Sequence, residues 1–264
     1  MKYIVLVGAF GGMGSAVAHA LVESGYFVFA LDRRVGEAEE NLMPIEVDIT
    51  DEASVSSAFE RVRDVTDEVY AILNFAGIYT AGSLVEVGCE ELARAYEINL
   101  FGVARINRIF LPLLREGSRI VITTSELAPL DPLPFTGIYA LTKGALDKYA
   151  YSLRMELQLL GISVVVVRPG AVKTGMLGAS TAALDEFCAK TTLYSYNAKR
   201  FKKIVDGVEA RNIAPEKIGA LAARILRVKR PKYVYSINRN PLLLLLNALP
   251  RRMQNFIIKK ILKG

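Results

Sequence analysis

Cysteine is scarce in this chain of 264 residues, which contains only Cys89 and Cys188. The two lie far apart in sequence, and neither belongs to a Cys-x-x-Cys pair or has a histidine nearby. This pattern argues against a disulfide framework and offers no set of ligands for a metal ion. We therefore predict no metal site and a chain suited to a reducing cytosol.

Long hydrophobic runs are also absent, although 52% of the residues are hydrophobic. No segment approaches the roughly 18 apolar residues that a membrane-spanning helix needs. The N-terminal apolar run ends at Gly8 without a small-residue cleavage site, so it predicts a first β-strand rather than a signal peptide. We expect a cytoplasmic protein with one large domain and a substantial core.

Short apolar segments alternate with longer amphipathic segments along most of the chain. Seven apolar segments are predicted to be β-strands: Tyr3–Val7, Phe27–Leu31, Pro44–Val47, Val69–Asn74, Arg119–Thr123, Ile162–Arg168 and Tyr233–Ile237. Helices are predicted between them, including long ones over about Glu90–Leu114 and Thr136–Leu160, the second ended by Gly161. This alternation is typical of a parallel sheet covered by helices. The predicted fold is α/β, a single domain with a doubly wound, Rossmann-like parallel sheet of seven strands.

A glycine-rich turn, from Gly8 to Gly14, joins the first strand to an alanine-rich helix. Glycines allow the backbone to approach a pyrophosphate closely, and the N-terminus of the helix favours its negative charge. Asp32 ends the next strand, where a carboxylate accepts hydrogen bonds from the adenosine ribose and repels a 2′-phosphate. NAD is therefore the favoured cofactor, while Arg33 and Arg34 leave NADP open.

Tyr139 and Lys143 lie one helical turn apart and share one helix face. A free phenol ionises near pH 10, too high for efficient proton exchange at neutral pH. An adjacent ammonium favours the phenolate, so we expect Lys143 to lower the pKa of Tyr139 toward the range of a general acid/base. An ordinary solvated pair on an exposed helix is the alternative.

Seven short motifs occur along the chain: Gly8-x3-Gly12-x-Gly14; Val47-Asp48-Ile49-Thr50; Asn74-Phe75-Ala76-Gly77; Asn99; Ser125; Tyr139 with Lys143; and Arg168-Pro169-Gly170-Ala171-Val172-Lys173-Thr174. With these motifs in this order, the chain resembles the short-chain dehydrogenase/reductase family over about residues 3–238. Two positions depart from the pattern of that family, since Val7 stands where it usually has threonine and Phe75 replaces a second asparagine. The resemblance implies an NAD(P)-dependent oxidoreductase that acts on CH–OH groups. It implies cofactor contacts from Gly8, Phe10, Gly11, Gly12, Met13, Gly14, Asp32, Arg33, Asp48, Ile49, Asn74, Ala76, Gly77, Tyr139, Lys143, Pro169, Gly170, Val172 and Thr174.

The same resemblance assigns the chemistry to four residues. Tyr139 exchanges a proton with the substrate oxygen, and Ser125 donates a hydrogen bond to that oxygen. Lys143 also holds the nicotinamide ribose. Asn99 kinks its helix and supports a water that relays protons to Lys143, although a satisfied core amide is its alternative role.

Two other assignments compete with this interpretation. Fourteen residues separate Ser125 from Tyr139, one more than is usual in the family, so Thr124 competes for the role of Ser125. His19, the single histidine, lies in the cofactor helix and does not reach Ser125 in a family-like arrangement. A Ser-His hydrolase is therefore disfavoured.

The predicted substrate site consists of residues 78–87, 126–136 and a lid near 175–206, all within a catalytic domain over residues 1–239. The larger side chains of these segments are mostly apolar, which suits a hydrophobic secondary alcohol and its ketone, or an alcohol and its aldehyde. Packing of the lid against the core explains them equally well. Steroid, retinoid, fatty and aromatic substrates all stay open, whereas a sugar is disfavoured.

Acidic residues are missing after Glu216, whereas nine basic residues occur from Lys229 onward. Residues 240–264 are predicted to form a basic amphipathic tail of two short helices separated near Pro250. Such a tail suits peripheral contact with an anionic membrane. Alternatively, the tail covers the sheet edge, lines the substrate entrance or forms a subunit interface.

We also expect a homo-oligomer, as a dimer or tetramer, and no binding of nucleic acid. The alternative function is a non-catalytic redox sensor or scaffold that acts through this tail.

Overall fold

A computed structural model describes residues 1–263 and contains one parallel sheet. Its strands are β1 (Lys2–Val7), β2 (Tyr26–Asp32), β3 (Leu42–Glu46), β4 (Ala71–Asn74), β5 (Arg119–Thr123), β6 (Ser163–Pro169) and β7 (Val234–Ile237). The spatial order is β3-β2-β1-β4-β5-β6-β7, and every neighbouring pair is parallel. The predicted doubly wound, seven-stranded α/β fold is therefore confirmed.

Ten α-helices connect or follow the strands in the part of the chain that the structure describes. They are α1 (Gly12–Glu23), α2 (Glu52–Arg63), α3 (Cys89–Tyr96), α4 (Gly102–Phe110), α5 (Gly137–Leu157), α6 (Gly175–Lys190), α7 (Ser195–Glu209), α8 (Glu216–Arg227), α9 (Pro241–Ala248) and α10 (Arg251–Lys263). The long helix predicted from Glu90 is interrupted, because a π-helical turn over Glu97–Phe101 separates α3 from α4. The helix predicted over Thr136–Leu160 is α5 with a short 3₁₀ turn, ended by Gly161 at a φ of 70°.

Each face of the sheet is covered by its own hydrophobic cluster. Successive strand residues point to opposite faces, so the strands contribute to both clusters. Val5 and Phe29 pack with residues of α2, α4 and α5, whereas Ile4 and Val28 pack with residues of α1 and α8. This two-sided burial explains why the strands are nearly continuous apolar runs and why the carboxyl edge of the sheet is left for a ligand site.

A third cluster joins the predicted lid to the C-terminal tail. The lid consists of two helices, α6 and α7. Buried side chains of the lid and of the segment before α5 meet the tail residue Leu262 in this cluster. The tail itself forms α9 and α10 on either side of Leu249-Pro250, as predicted. No helix within residues 1–263 is long and apolar enough to cross a membrane.

Candidate active site

The turn between β1 and α1 packs directly against the loop that follows β4. Gly8 has a φ of 80°, and a Cβ atom built on it would lie 2.5 Å from the backbone nitrogen of Ala76. A Cβ atom on Gly14 would lie 1.9 Å from the carbonyl oxygen of Gly8. Larger residues are therefore excluded at both positions, and the turn presents backbone rather than side chains to the cleft beside it.

That cleft has a volume of about 1030 Å³ and lies beyond the carboxyl ends of β1, β2 and β4. Thirteen of the predicted cofactor residues line it: Gly8, Phe10, Gly11, Gly12, Met13, Gly14, Asp32, Arg33, Asp48, Ile49, Ala76, Gly77 and Thr174. Its size is in the upper range of small-molecule sites, and the N-terminus of α1 opens onto it. The residues present therefore fit a dinucleotide.

Two carboxylates are fixed at the adenosine end of this cleft by short hydrogen bonds. Asp32 accepts from the backbone N–H of Phe10 at 2.9 Å and from that of Arg33 at 2.7 Å. Asp48 accepts from the hydroxyl of Thr50 at 2.7 Å and from its backbone N–H at 2.9 Å. These bonds lower the pKa of Asp48, and the positive charge of Arg33 lowers it further.

A second, smaller cavity of about 210 Å³ adjoins the cleft. The two share the side chains of Met13, Tyr79 and Met176 as a common wall. Six more predicted site residues line the smaller cavity: Ser125, Tyr139, Lys143, Pro169, Gly170 and Val172. The structure therefore places three of the four predicted catalytic residues, Ser125, Tyr139 and Lys143, beside the cleft that fits the dinucleotide, whereas Asn99 lines neither cavity.

Asn74 is an exception among the predicted cofactor residues, because it lines neither cavity. Its side chain is 2% exposed and donates a hydrogen bond to Oδ1 of Asn107 at 2.9 Å. Asn74 ends β4, and its side chain points into the protein interior rather than toward the cleft. The structure thus gives Asn74 a contact with α4, not a place at the cofactor cleft.

Tyr139 and Lys143 are both buried, so they are not a solvated surface pair. Burial raises the pKa of Tyr139 to about 12, the hydrogen bond with Ser125 lowers it, and the charge of Glu126 raises it. The prediction that Lys143 brings this pKa down is therefore not met in this structure, because burial has the larger effect. Burial also lowers the pKa of Lys143 to about 8. The Lys143 ammonium lies 5.9 Å from the centre of the Tyr139 ring and donates to the carbonyl oxygen of Thr123 at 3.3 Å.

Ser125 and Thr124 follow β5 but bond in different directions. The Ser125 hydroxyl accepts from the backbone N–H of Leu127 at 3.2 Å and interacts with Tyr139. The Thr124 hydroxyl instead approaches Oδ1 of Asp147 at 3.5 Å, beside the ion pair of Asp147 with Arg168. The geometry therefore favours Ser125 over Thr124 as the hydroxyl beside the phenol.

Asn99 lies in the π-helical turn and is completely buried. Its amide accepts from the backbone N–H of Ile78 at 2.8 Å, and it donates to the carbonyl oxygen of Ile78 and to the hydroxyl of Thr142, both at 3.0 Å. The expected helix irregularity is present. The amide ties the loop after β4 to helix α5, which carries Tyr139 and Lys143.

Two residues at this site were not identified from the sequence. Tyr79 stacks against Tyr139 with ring centres 4.9 Å apart and lines both cavities. Glu126 is 9% exposed and lines the smaller cavity. Glu126 follows Ser125 directly, so an acidic residue next to the predicted catalytic hydroxyl was the available signal. Tyr79 left no signal beyond its place in the predicted substrate segment 78–87.

The chain is similar to known proteins over most of its length. The model of the short chain dehydrogenase family matches residues 2–185. A 3-ketodihydrosphingosine reductase from Bacteroides thetaiotaomicron is 28% identical over 88% of this chain and 86% of its own. An NADPH-dependent 3-dehydrocapnine reductase from Ornithobacterium rhinotracheale is 28% identical over 100% of this chain and 98% of its own.

Solved structures show the same fold. A short-chain dehydrogenase from Streptomyces avermitilis superposes with a TM-score of 0.75 at 24% sequence identity, covering 89% of this chain and 87% of that one. The family match, the reductase relatives and the observed sheet order lead to one conclusion. The chain belongs to the short-chain dehydrogenase/reductase family and is an NAD(P)-dependent oxidoreductase.

Proposed function

We propose that this enzyme interconverts a hydrophobic secondary alcohol and its ketone, with Tyr139 as the general acid/base. The observation that carries the proposal is the position of Tyr139, which is buried beside Ser125 and Lys143 in the small cavity that adjoins the dinucleotide cleft. NAD(P) bound in that cleft supplies or accepts the hydride. The same residues serve a primary alcohol and its aldehyde if the substrate fits the cavity.

The proton-transfer roles follow from the surroundings of each group. A phenol with a pKa raised by burial is protonated at neutral pH, which is the form that donates a proton to a carbonyl oxygen. The Ser125 hydroxyl lies beside it and holds the substrate oxygen near the phenol. Lys143 bears a positive charge at neutral pH, which favours the phenolate that remains after proton donation.

The cavity beyond Tyr139 supports a hydrophobic substrate. Its wall includes apolar side chains from the loop after β5, the lid and the tail: Leu127, Leu133, Met176, Leu177, Phe201, Ile204, Val205, Val208 and Leu243. An apolar wall of this kind favours burial of a hydrocarbon chain or ring. The two relatives named above are reductases whose names give 3-ketodihydrosphingosine and 3-dehydrocapnine, which suits a ketone as the oxidised substrate here.

For the cofactor we propose a preference for NAD over NADP. The Asp32 carboxylate lies at the cleft, where its charge opposes a 2′-phosphate. Arg33 lies beside it and acts in the opposite direction. The relative from Ornithobacterium rhinotracheale is named as NADPH-dependent. The ratio of kcat/KM for the two cofactors tests the preference proposed here.

Substitution of Tyr139 by phenylalanine tests the catalytic proposal. The ring and its packing against Tyr79 are kept, and only the proton donor is removed. We expect turnover of long-chain ketones and alcohols to fall by at least about 100-fold, within the range of general acid/base catalysis. Cofactor affinity, measured by titration calorimetry, should change little. Turnover near the wild-type value in an assay limited by the chemical step would disprove the role of Tyr139.

The tail contributes to the proposed substrate site and to a proposed membrane contact. Leu243 lines the cavity, and Gln254, Ile258 and Leu262 form the face of α10 that packs inward. Helical geometry places Phe256 on the opposite face, together with the basic residues Arg252, Lys260 and Lys263. An exposed aromatic side chain among basic groups suits the surface of an anionic bilayer. We therefore treat residues 240–264 as a functional extension of the catalytic domain over residues 1–239.

The expected homo-oligomer stays a prediction. Apolar side chains are exposed on and just after α5, including Tyr151, Met155 and Leu159, and a second copy of the chain could cover them. The alternative function as a redox sensor or scaffold is not favoured, since the similar proteins are reductases and dehydrogenases.

A further inference from the structure

The small cavity is apolar over most of its wall but contains two carboxylates, Glu126 and Glu209. Among the described residues that line it, Lys143 is the one basic side chain, and the catalytic proposal already assigns it to Tyr139 and the cofactor. A purely hydrocarbon substrate gives no reason for acidic groups at this position. Burial of a carboxylate without a partner is unfavourable, so each of the two needs an explanation.

Glu209 has partners within the protein. It lies at the end of α7 and accepts hydrogen bonds from the hydroxyls of Ser180 and Thr181. Burial raises the pKa of Tyr79, and the negative charge of Glu209 raises it further, so Glu209 lies near that ring. Both carboxylate oxygens of Glu209 thus accept hydrogen bonds from α6. This contact between α7 and α6 is enough to explain an acidic residue at position 209.

Only one of the two carboxylate oxygens of Glu126 accepts a hydrogen bond within the described chain. Its backbone N–H donates to the carbonyl oxygen of Pro169 at 2.9 Å, which fixes it at the end of β6. Oε2 accepts from the backbone N–H of Asn240 at 2.7 Å, whereas no group of residues 1–263 donates a hydrogen bond to Oε1. Burial raises the pKa of Glu126, and the bond from Asn240 and the positive charge of Arg239 lower it. Arg239 itself is exposed and forms no ion pair with Glu126 within the described chain.

The position of Glu126 relates it to the reacting atoms. It directly follows Ser125 and faces the same cavity as Tyr139. Its negative charge is close enough to raise the pKa of Tyr139. A substrate oxygen held between Ser125 and Tyr139 would therefore bring the neighbouring substituents of the substrate toward Glu126.

We propose that Glu126 binds a protonated amine of the substrate next to the carbon that is oxidised or reduced. Resting on the function proposed above, this makes the preferred substrates amphiphilic amino ketones and amino alcohols, with the hydrocarbon chain against the lid and Leu243. An ammonium group supplies the donor that Oε1 lacks, in a charge-assisted hydrogen bond. The ammonium also neutralises the negative charge of Glu126, which raises the pKa of Tyr139. A bound amine should therefore make it easier for Tyr139 to give up its proton.

The substitution Glu126→Gln separates this role from a purely structural one. Glutamine keeps an oxygen that can accept from the Asn240 N–H, but it removes the negative charge. A structural role predicts equal effects on all substrates. Charge recognition predicts an additional loss, relative to the neutral ketone, for substrates with a protonated amine, mainly in KM. Glu209→Gln is the matched control, because it removes the other carboxylate of the same cavity.

Three probes complete the experiment: a long-chain α-amino ketone, its N-acetyl derivative and the same ketone without nitrogen. The wild-type enzyme should favour the free amine in kcat/KM by about 10- to 100-fold, the range for a hydrogen bond to a charged group. Glu126→Gln should abolish that preference, so that the free amine and the neutral ketone have about equal kcat/KM values. Calorimetric binding of a long-chain amino alcohol, compared with the corresponding alcohol, should show the same difference without turnover.

The outcomes distinguish this inference from the proposed function. If the wild type turns over the neutral ketone as efficiently as the amine, the inference is wrong and the proposed function stands. Loss of the preference in Glu209→Gln alone would also overturn the assignment to Glu126. If no probe is turned over with either cofactor, the proposed function fails. Equal binding of amine and alcohol would then independently reject the inference.

Discussion

Lys143 is needed for the proposed catalysis, but its buried charge is expected to destabilise the folded protein. Its folded-state pKa is depressed from 10.5 to about 8, because burial opposes the ammonium form. At 1.36 kcal/mol per pKa unit, the charged form is destabilised by about 3 kcal/mol at neutral pH. The hydrogen bond from Lys143 to Thr123 offsets about 1 kcal/mol of this destabilisation. We therefore predict that Lys143→Met abolishes activity and raises the free energy of unfolding by about 2 kcal/mol at pH 7.

The pH dependence of the free energy of unfolding tests independently whether the Lys143 charge is destabilising. Between about pH 8 and pH 10.5 the unfolded chain binds more protons at Lys143 than the folded chain does, so the stability of the wild type rises with pH in this window. The destabilisation by the charge falls to about 1 kcal/mol near pH 10 by the same linkage relation. The advantage of the variant should therefore vanish there.

Urea denaturation and thermal melts of both proteins at pH 7 and pH 10 provide the measurement. For a chain of this size, about 2 kcal/mol corresponds to a rise in Tm of about 4–8 °C. Lys148→Met is the matched control, because Lys148 lies on the same helix but is exposed, and it should show no gain. A Lys143→Met variant that is less stable than the wild type at pH 7, or equally advantaged at both pH values, would refute the argument.

Two further predictions concern the cofactor and the tail. Asp32→Ala should shift the ratio of kcat/KM for NADP over NAD upward by about tenfold or more, since it removes like-charge repulsion; a wild type that already prefers NADP would contradict this. Leu245→Ser and Phe256→Ser alter tail side chains that are 65% and 68% exposed. They should reduce co-sedimentation with anionic vesicles, with neutral vesicles as the control, and added salt should weaken binding of the wild type. Equal sedimentation of wild type and variants, or none by either, would argue against the membrane contact.

Most of the fold could be predicted because its signals are local. The strands are apolar runs bounded by turn residues, and no predicted strand end differs from the observed one by more than two residues. The turn from Gly8 to Gly14 was recognisable because only glycine tolerates such close backbone approach. The spacing of Tyr139 and Lys143 likewise followed from the helical repeat.

The tertiary structure alone decided the environment of those residues. Burial of Tyr139 raises the pKa that Lys143 was expected to lower, and desolvation of this kind depends on residues distant in sequence. The Asn74 side chain is buried and bonded to Asn107, 33 residues further along the chain, instead of lining the cofactor cleft.

Glu126 shows the same limit most clearly. The donor to its carboxylate is the backbone of Asn240, 114 residues further along the chain, and no local pattern reports that contact. The sequence by itself determined on which strand, helix or turn each functional side chain lies, because these elements follow from local periodicity and turn residues. Which of them are buried together, and so which charges need a partner, was decided only when the sheet, lid and tail came together.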